Sequence, residues 1–172
     1  MILVLFSLVM AAVNDAAWGP PAVVTHDEKP CVTYRVQLSG GHLAVSVKLE
    51  PGWHTFTMDN DKRAAVKLNG KKALSSDKPT QIQSEGVEIA GQWMQLEPKD
   101  FSQAELRIFS WGYEGSALFV APARASGDGA RKVHIKGQAC TQTVCKNVDV
   151  MADVAEQRTG PPPSTGGLIP VL

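Results

Sequence analysis

Two of the three cysteines lie in the stretch Gly137-Gln138-Ala139-Cys140-Thr141-Gln142-Thr143-Val144-Cys145-Lys146. The runs on either side, residues 131–136 and 147–150, alternate apolar and polar side chains, which is the period of a half-buried strand. We therefore predict a β-hairpin whose turn region carries both sulfur atoms. A disulfide needs Cα atoms about 4.4–6.8 Å apart, and two strands that leave a short turn supply that distance.

The spacing of Cys140 and Cys145 leaves three states open: a redox-active disulfide, an inert structural staple, or two unpaired thiols. Closing so short a loop removes little conformational entropy from the unfolded chain, so the position is a poor one for pure reinforcement. A pair at the end of a hairpin is also within reach of another protein's thiol. The spacing alone does not decide between redox function and the other two states.

Composition indicates one β-rich domain. The chain has 172 residues, and its 17 Lys and Arg balance its 17 Asp and Glu, so no basic field indicates a nucleic-acid partner. Eleven prolines and fifteen glycines indicate many turns between the alternating runs. Eight or nine short strands without a long helical period predict an all-β fold, an antiparallel β-sandwich.

The amino-terminal stretch indicates export. Residues 1–13 are nearly all apolar, which is too short for a membrane-spanning helix of ~20 residues but matches the apolar region of a secretory signal. Ala16 and Ala17 supply the small residues of a cleavage site. We predict a signal peptide over residues 1–17, a periplasmic or otherwise extracytoplasmic location, and no membrane span after its removal. A buried first strand or helix is the alternative.

Beyond the signal, we predict a leader over residues 18–30, a sandwich over residues 31–152 and a Pro- and Gly-rich flexible tail over residues 153–172. Residues 31–38 and 42–50 alternate around Gly40-Gly41 and predict a hairpin. Its predicted inward positions are Val32, Tyr34, Val36, Leu38, Leu43, Val45, Val47 and Leu49.

Later segments give weaker patterns. Residues 64–68 predict a short strand, residues 81–90 a strand interrupted by Gly86, and residues 91–100 a loop. Residues 116–122 predict a strand that ends at Pro122. Residues 101–111 fit neither the helical nor the strand period.

Three motifs occur in one order along the chain. They are Leu49-Glu50-Pro51-Gly52-Trp53-His54-Thr55-Phe56, then Tyr113-Glu114-Gly115, then Cys140-Thr141-Gln142-Thr143-Val144-Cys145. Together they resemble the amino-terminal domain of the thiol:disulfide interchange protein DsbD, over about residues 31–152. The resemblance implies an immunoglobulin-like sandwich outside the cytoplasm, without a cofactor, whose cysteines cycle between disulfide and dithiol as part of a protein-disulfide reductase system.

The resemblance also implies roles and partners. By position, Cys145 resembles the cysteine that exchanges with partners, and Cys140 the one that resolves the mixed disulfide. The implied partners are thioredoxin-like proteins: a membrane reductase domain, a disulfide isomerase or a cytochrome c maturation thioredoxin. The family shields its disulfide with an aromatic cap, which falls here within residues 98–111. The candidates for that cap are Phe109 and Trp111, with Tyr113 beside them.

Two other classes of function remain open from the residues. Cys140, Cys145 and His134, with His54 or Cys31, would make a zinc or copper(I) set. Against that, four residues between the cysteines is wider than the spacing of zinc knuckles, and His134 alternates outward from its strand neighbours. The third class is a structural or protein-binding sandwich with an inert disulfide.

Several neighbours of the motifs have plain structural explanations. Trp53 fits the core and His54 a turn, although an imidazole near the sulfurs would serve exchange. Cys31 fits a buried small apolar residue. Three lysines close in sequence to the cysteine pair either stabilise a thiolate or are ordinary solvated side chains: Lys132, Lys136 and Lys146.

Overall fold

The computed structural model describes residues 18–69, 71, 77–157 and 160–172, so the predicted signal peptide lies outside the described residues. Within them the chain forms thirteen strands, one helix and one 3₁₀ turn. In chain order these are β1 (Ala22–His26), β2 (Lys29–Ser39), β3 (His42–Leu49), β4 (His54–Phe56), α1 (Asn60–Lys67), β5 (Gln81–Glu85), β6 (Val87–Ile89), β7 (Met94–Leu96), β8 (Lys99–Asp100), the 3₁₀ turn (Ala104–Leu106), β9 (Trp111–Glu114), β10 (Ser116–Ala125), β11 (Lys132–Cys140), β12 (Cys145–Gln157) and β13 (Leu168–Pro170).

The strands form two layers that share one core. The first layer runs β1, β2, β3, β10, β7, β13, and the second contains β5, β11, β4, β9 and β8. Strand β12 joins them, because its first part pairs with β11 and its last part runs parallel to β2. Apolar side chains of both layers are buried in one cluster, including Tyr34 and Phe119 from the first and Val133 and Ile135 from the second. The predicted immunoglobulin-like antiparallel β-sandwich is confirmed.

The first hairpin matches its prediction closely. Strands β2 and β3 pair in register, with Val36 opposite Val45. The turn uses Gly40 and Gly41 at φ 53° and 75°, a backbone region that L side chains rarely adopt. All eight predicted inward side chains are buried. Each large apolar side chain buried in this way contributes about 1.5–3 kcal/mol, which is why local alternation alone determines this hairpin.

Helix α1 replaces the strand predicted over residues 64–68, and that prediction is wrong. Ala64 and Leu68 are buried four residues apart, which is helical spacing. The Asp59 carboxylate accepts a hydrogen bond from Arg63 Nε at 2.8 Å, an i,i+4 ion pair that supports the first turn. Five residues are too few for the apolar pattern to separate the two periods.

Strand β10 continues through Pro122, so the predicted end at that proline is also wrong. The Pro122 carbonyl accepts a hydrogen bond from the Ala90 N–H at 2.8 Å, and the Ala123 N–H donates to the Gly41 carbonyl at 2.9 Å. Pairing therefore resumes directly after the residue that lacks a donor. The predicted loop over residues 91–100 contains the two short strands β7 and β8, whereas the break at Gly86 between β5 and β6 is as predicted.

The sandwich extends beyond residues 31–152 at both ends. Strand β1 lies in the predicted leader and pairs with β2, and β12 continues to Gln157. Strand β13 lies in the predicted flexible tail and pairs with β7. Main-chain hydrogen bonds to strand edges hold these segments, and such bonds leave no apolar period in the sequence. In the part of the chain that is described, no helix has the length and apolarity needed to cross a membrane.

Candidate functional site

The predicted hairpin with both sulfurs at its turn is present as β11–β12, and of the three states that the spacing left open, Cys140 and Cys145 form a disulfide. Their sulfurs are 2.07 Å apart and their Cα atoms 4.0 Å apart. The four-residue loop between them is held by its own backbone, because the Thr141 N–H donates to the Val144 carbonyl at 2.8 Å. Thr141 Oγ1 accepts hydrogen bonds from the N–H groups of Thr143 and Val144, at 3.2 and 3.1 Å. The loop thus fixes the two cysteines opposite each other.

The two cysteines differ in exposure. Cys140 is 2% exposed, since β11 lies between β12 and β4 and Cys140 pairs with Cys145 on one side and His54 on the other. Cys145, at the start of β12, is exposed. The exposed residue of the pair is therefore Cys145, and Cys140 is covered by its strand neighbours.

A cavity of about 580 Å³ lies beside the disulfide, and both cysteines line it. We call it the disulfide cavity. Its lining combines aromatic and aliphatic side chains with carboxylates: His54, Phe56, Asp77, Phe101, Ile108 and Glu114. The size and the mixed lining suit part of a protein chain as well as a small molecule.

One wall of the disulfide cavity is formed by residues 99–110, which we call the cap segment. It leaves β8, makes the 3₁₀ turn, and returns through paired hydrogen bonds between Gln103 and Ile108, with N···O distances of 2.8 and 3.1 Å. Arg107 closes the turn in the left-handed region at φ 55°. Phe101 and Ile108, one on each arm, line the cavity.

The predicted cap region is therefore beside the disulfide, but the predicted aromatic residues do not line the cavity. Phe109 is half-buried in the cap segment. Trp111 is buried on β9, and its backbone N–H donates to Asn60 Oδ1 at 2.8 Å. Tyr113 lies in the core, where its hydroxyl donates to the Leu96 carbonyl at 2.8 Å. Strand alternation on β9 directs Trp111 and Tyr113 into the interior, whereas Phe101 lines the cavity that both cysteines also line.

His54 lies beside the sulfurs rather than only fixing a turn. It is the antiparallel neighbour of Cys140, and its ring packs against Phe56 and Phe101 with centroid distances of 5.4 and 5.1 Å. Burial lowers the pKa of His54 below that of an exposed histidine, although the charges of Asp77 and Glu114 oppose the shift. Trp53 packs against the core, as expected.

The residues of the metal alternative do not form one set, because His54 is the neighbour of Cys140 while His134 and Cys31 lie elsewhere. The sulfurs of Cys140 and Cys145 are bonded to each other, and the imidazole of His134 contacts the carboxylate of Asp149. Cys31 is fully buried, where its thiol donates to the Val24 carbonyl at 3.2 Å and burial raises its pKa. Among the described residues, no group of three or more histidine, cysteine or carboxylate side chains is placed to hold a metal ion.

Two lining residues were missed from sequence. Phe101 fell in a segment without a clear period, and its role depends on the pairing of Gln103 with Ile108 some residues later. Asp77 comes from the segment before β5, and only the tertiary fold brings it to the cavity.

Of the three lysines that lie close to the cysteine pair in sequence, Lys136 lines a separate groove with Lys78 and Asn147.

No family model and no curated protein matches the chain. Among solved structures, it is similar to the N-terminal domain of DsbD from Neisseria meningitidis in the reduced form, with 12% identity and a TM-score of 0.48, over 91% of this chain and 92% of that one. It is also similar to a chain of the complex between the DsbD N-terminal and PilB N-terminal domains of the same organism, with 13% identity and a TM-score of 0.47, over 75% of this chain and 88% of that one. Both structures contain the domain that the sequence motifs resemble.

Proposed function

We propose that the domain exchanges its Cys140–Cys145 disulfide with thioredoxin-like proteins and so passes electrons between them. The observation that carries the proposal is the unequal exposure of the two cysteines: Cys145 is an exposed residue, and Cys140 is 2% exposed. A disulfide arranged in this way has one entry point for a thiolate and one protected leaving group.

The exchange follows from that arrangement. A partner thiolate attacks Cys145 Sγ, a partner–Cys145 disulfide forms, and the electron pair of the broken bond leaves on Cys140 as a thiolate. The second thiol of the partner then loses its proton and attacks the partner sulfur that is bonded to Cys145. This step closes a disulfide within the partner and releases Cys145. The partner leaves oxidised and the domain holds two more electrons. The reverse sequence delivers those electrons to another disulfide.

The short loop supports the return step. Cys140 stays beside Cys145 because the hydrogen bonds of Thr141 hold the loop. A thiol held this close has a high effective concentration, so the mixed disulfide is short-lived when Cys140 is present. On the cavity side, Phe101 and Ile108 of the cap segment would hinder small thiols from approaching the disulfide, while a protein partner displaces the segment.

The partner class comes from the sequence motifs, which resemble those of a domain that works with thioredoxin-like proteins. A membrane reductase domain is the expected donor, and a disulfide isomerase or a cytochrome c maturation thioredoxin the expected acceptor. The apolar start of the chain, with Ala16 and Ala17 after it, supports export to the periplasm or another extracytoplasmic space. Disulfides persist there, as this site requires.

A trapping experiment tests the proposal. In Cys140→Ala, the Cys145 thiol is activated with Ellman's reagent and mixed with a thioredoxin whose resolving cysteine is replaced by alanine. We expect rapid release of thionitrobenzoate and a stable mixed disulfide, detected by mass. The matched control is Cys145→Ala activated at Cys140, which should react far more slowly because that sulfur is buried. Equal rates in the two variants, or no adduct in either, would overturn the proposal.

An inert structural staple is the competing function. The stability of the reduced protein and its reaction with thioredoxin distinguish the staple from exchange. A staple predicts that reduction of the disulfide unfolds or strongly destabilises the sandwich, and that no mixed disulfide forms with thioredoxin. Exchange predicts a folded reduced state, because the domain must survive every cycle.

A further inference from the structure

We propose that His54 is the proton acceptor of the disulfide site: its imidazole takes up a proton when the disulfide opens and Cys140 becomes a thiolate. The inference rests on the proposed exchange function and deepens it, because it assigns a second group that acts directly beside the reacting sulfur.

The placement of His54 carries the inference. His54 on β4 and Cys140 on β11 are direct antiparallel neighbours, and side chains opposite each other in such a pair lie on one face with Cβ atoms about 4.5–5.5 Å apart. Both residues line the disulfide cavity. The imidazole is held there between two rings, Phe56 at an interplanar angle of 89° and Phe101 at 40°. The ring contact with Phe101 links the position of the imidazole to the cap segment.

The charges around His54 determine when it is protonated. Asp77 faces it from the segment before β5, and Glu114 from β9. Lys99 on β8 binds Glu114 with its Nζ 2.8 Å from Oε2, which offsets part of that negative charge. Lys146 follows Cys145 on β12 and is exposed. While the disulfide is closed, burial prevails and the pKa of His54 lies below its ordinary value, which favours the neutral ring.

Opening the disulfide reverses this balance. A thiolate on Cys140 puts a full negative charge in a buried position next to the ring, and a nearby opposite charge favours the protonated imidazole. The imidazolium in turn stabilises the thiolate, as histidine does for reactive cysteines generally. The two groups then titrate as a coupled pair rather than as independent sites.

The electrons and protons balance with dithiothreitol as the reductant. One of its thiolates attacks Cys145 Sγ, and the pair of electrons from the broken bond goes to Cys140. Its second thiol loses a proton as it closes the dithiothreitol ring and releases Cys145. Of the two protons given up by dithiothreitol, one ends on Cys145 as a thiol and the other on His54, which faces the Cys140 thiolate.

The direct test is a proton NMR titration of the imidazole resonances of the full chain, oxidised and reduced with dithiothreitol. We expect His54 to bind its proton at least about tenfold more tightly in the reduced protein, as for other groups that gain an opposite charge. His134 is the internal control, because it lies near the start of β11, contacts Asp149 of β12 and does not line the cavity. Its ring resonances should not change when the disulfide is reduced. Identical titration of His54 in both states would overturn the inference.

A variant gives a second readout. In reduced His54→Gln, the pH midpoint for alkylation of Cys140 by iodoacetamide should move to higher pH, since no imidazolium stabilises its thiolate. His134→Gln should leave that midpoint unchanged. An unchanged midpoint in folded His54→Gln contradicts the proposal, and should that variant fail to fold, the titration of the unmutated chain still decides.

The outcome separates the two proposals. If thioredoxin forms the mixed disulfide with Cys145 while His54 titrates identically in both states, the exchange function is supported and the role of His54 as proton acceptor is contradicted. If His54 responds to dithiothreitol but no thioredoxin adduct forms in the trapping experiment, the exchange function is contradicted. The uptake of a proton by His54 on reduction of the disulfide is then still supported.

Discussion

Phe101 lies against His54, with 5.1 Å between the ring centroids and an interplanar angle of 40°. The contact joins the cap segment to β4, the strand that pairs with Cys140. Phe101, His54 and the disulfide therefore line the same cavity. Access to the disulfide therefore depends on this aromatic contact more than on the buried rings of Trp111 and Tyr113.

Replacing Phe101 by alanine should give small thiols a wider approach to the disulfide from the cavity side, in addition to the exposed side of Cys145. We expect reduced glutathione to reduce the Cys140–Cys145 bond several-fold faster in Phe101→Ala, because the ring that lines the cavity beside it is removed. The rate is measured by alkylation at timed intervals and mass spectrometry. Phe109→Ala is the matched control from the same cap segment, and its rate should stay close to that of the unmutated chain. Equal acceleration in both variants would indicate general loosening of the segment instead of shielding by Phe101.

Reduction of the disulfide should leave the sandwich folded. For the loop from Cys140 to Cys145, the chain-entropy model gives a stabilisation of only about 2 kcal/mol. The buried side chains of β2, β3 and β10 do not depend on this bond. Urea unfolding of the oxidised and the reduced protein, followed by tryptophan fluorescence, measures the difference. A reduced protein that is unfolded in buffer would support the staple and contradict exchange.

The sequence was sufficient where local pattern and local turn chemistry agree. Gly40-Gly41 between two alternating runs predicted the first hairpin and every inward side chain, because burial and turn geometry require the same residues. The cysteine hairpin was predicted for the same reason. Which side of the sheet would cover Cys140 was not predictable, since His54 reaches it through the β4–β11 pairing, more than eighty residues apart in sequence.

The remainder of the site depends on tertiary contacts that leave no periodic signal. Phe101 and Ile108 meet the disulfide only because Gln103 and Ile108 pair across a short turn. Strand β13 forms through main-chain bonds to β7, in a segment whose composition indicated a flexible tail. Helix α1 depends on the buried carboxylate of Asp59, whose partners are the nearby Arg63 and two residues distant in sequence, Gln95 and Leu172.

The carboxylate of Asp59 should make the free energy of unfolding depend on pH. Burial alone would raise the pKa of Asp59, but hydrogen bonds from Arg63, the Leu172 N–H and Gln95 outweigh it and lower the pKa to about 2. Because the pKa of Asp59 is lower in the folded chain than in the unfolded chain, its contribution to stability is fully present above about pH 5. That contribution is lost as the pH falls towards 2.

The size of the effect follows from the difference between the two pKa values, which corresponds to about 2 kcal/mol. Urea unfolding of the unmutated chain and of Asp59→Asn at a series of pH values between 6 and 2 measures it. Asp59→Asn should be less stable at pH 6 and should lose much of the dependence on pH. Asp61→Asn, which changes an exposed carboxylate on the same helix, is the control and should keep the dependence. The same slope in both variants would contradict this role of Asp59.

Thr141 should tune how readily the disulfide opens. Its Oγ1 accepts two backbone hydrogen bonds inside the four-residue loop, so Thr141→Val leaves the N–H groups of Thr143 and Val144 without that acceptor. Each lost bond costs about 0.5–1.5 kcal/mol. Because these bonds hold Cys140 opposite Cys145, the variant should have a less negative reduction potential, measured by equilibration with glutathione buffers and alkylation. Thr143→Val removes an exposed hydroxyl from the same loop and should leave the potential unchanged. A potential that shifts equally in both variants, or in neither, would show that the loop does not set the closeness of the two sulfurs.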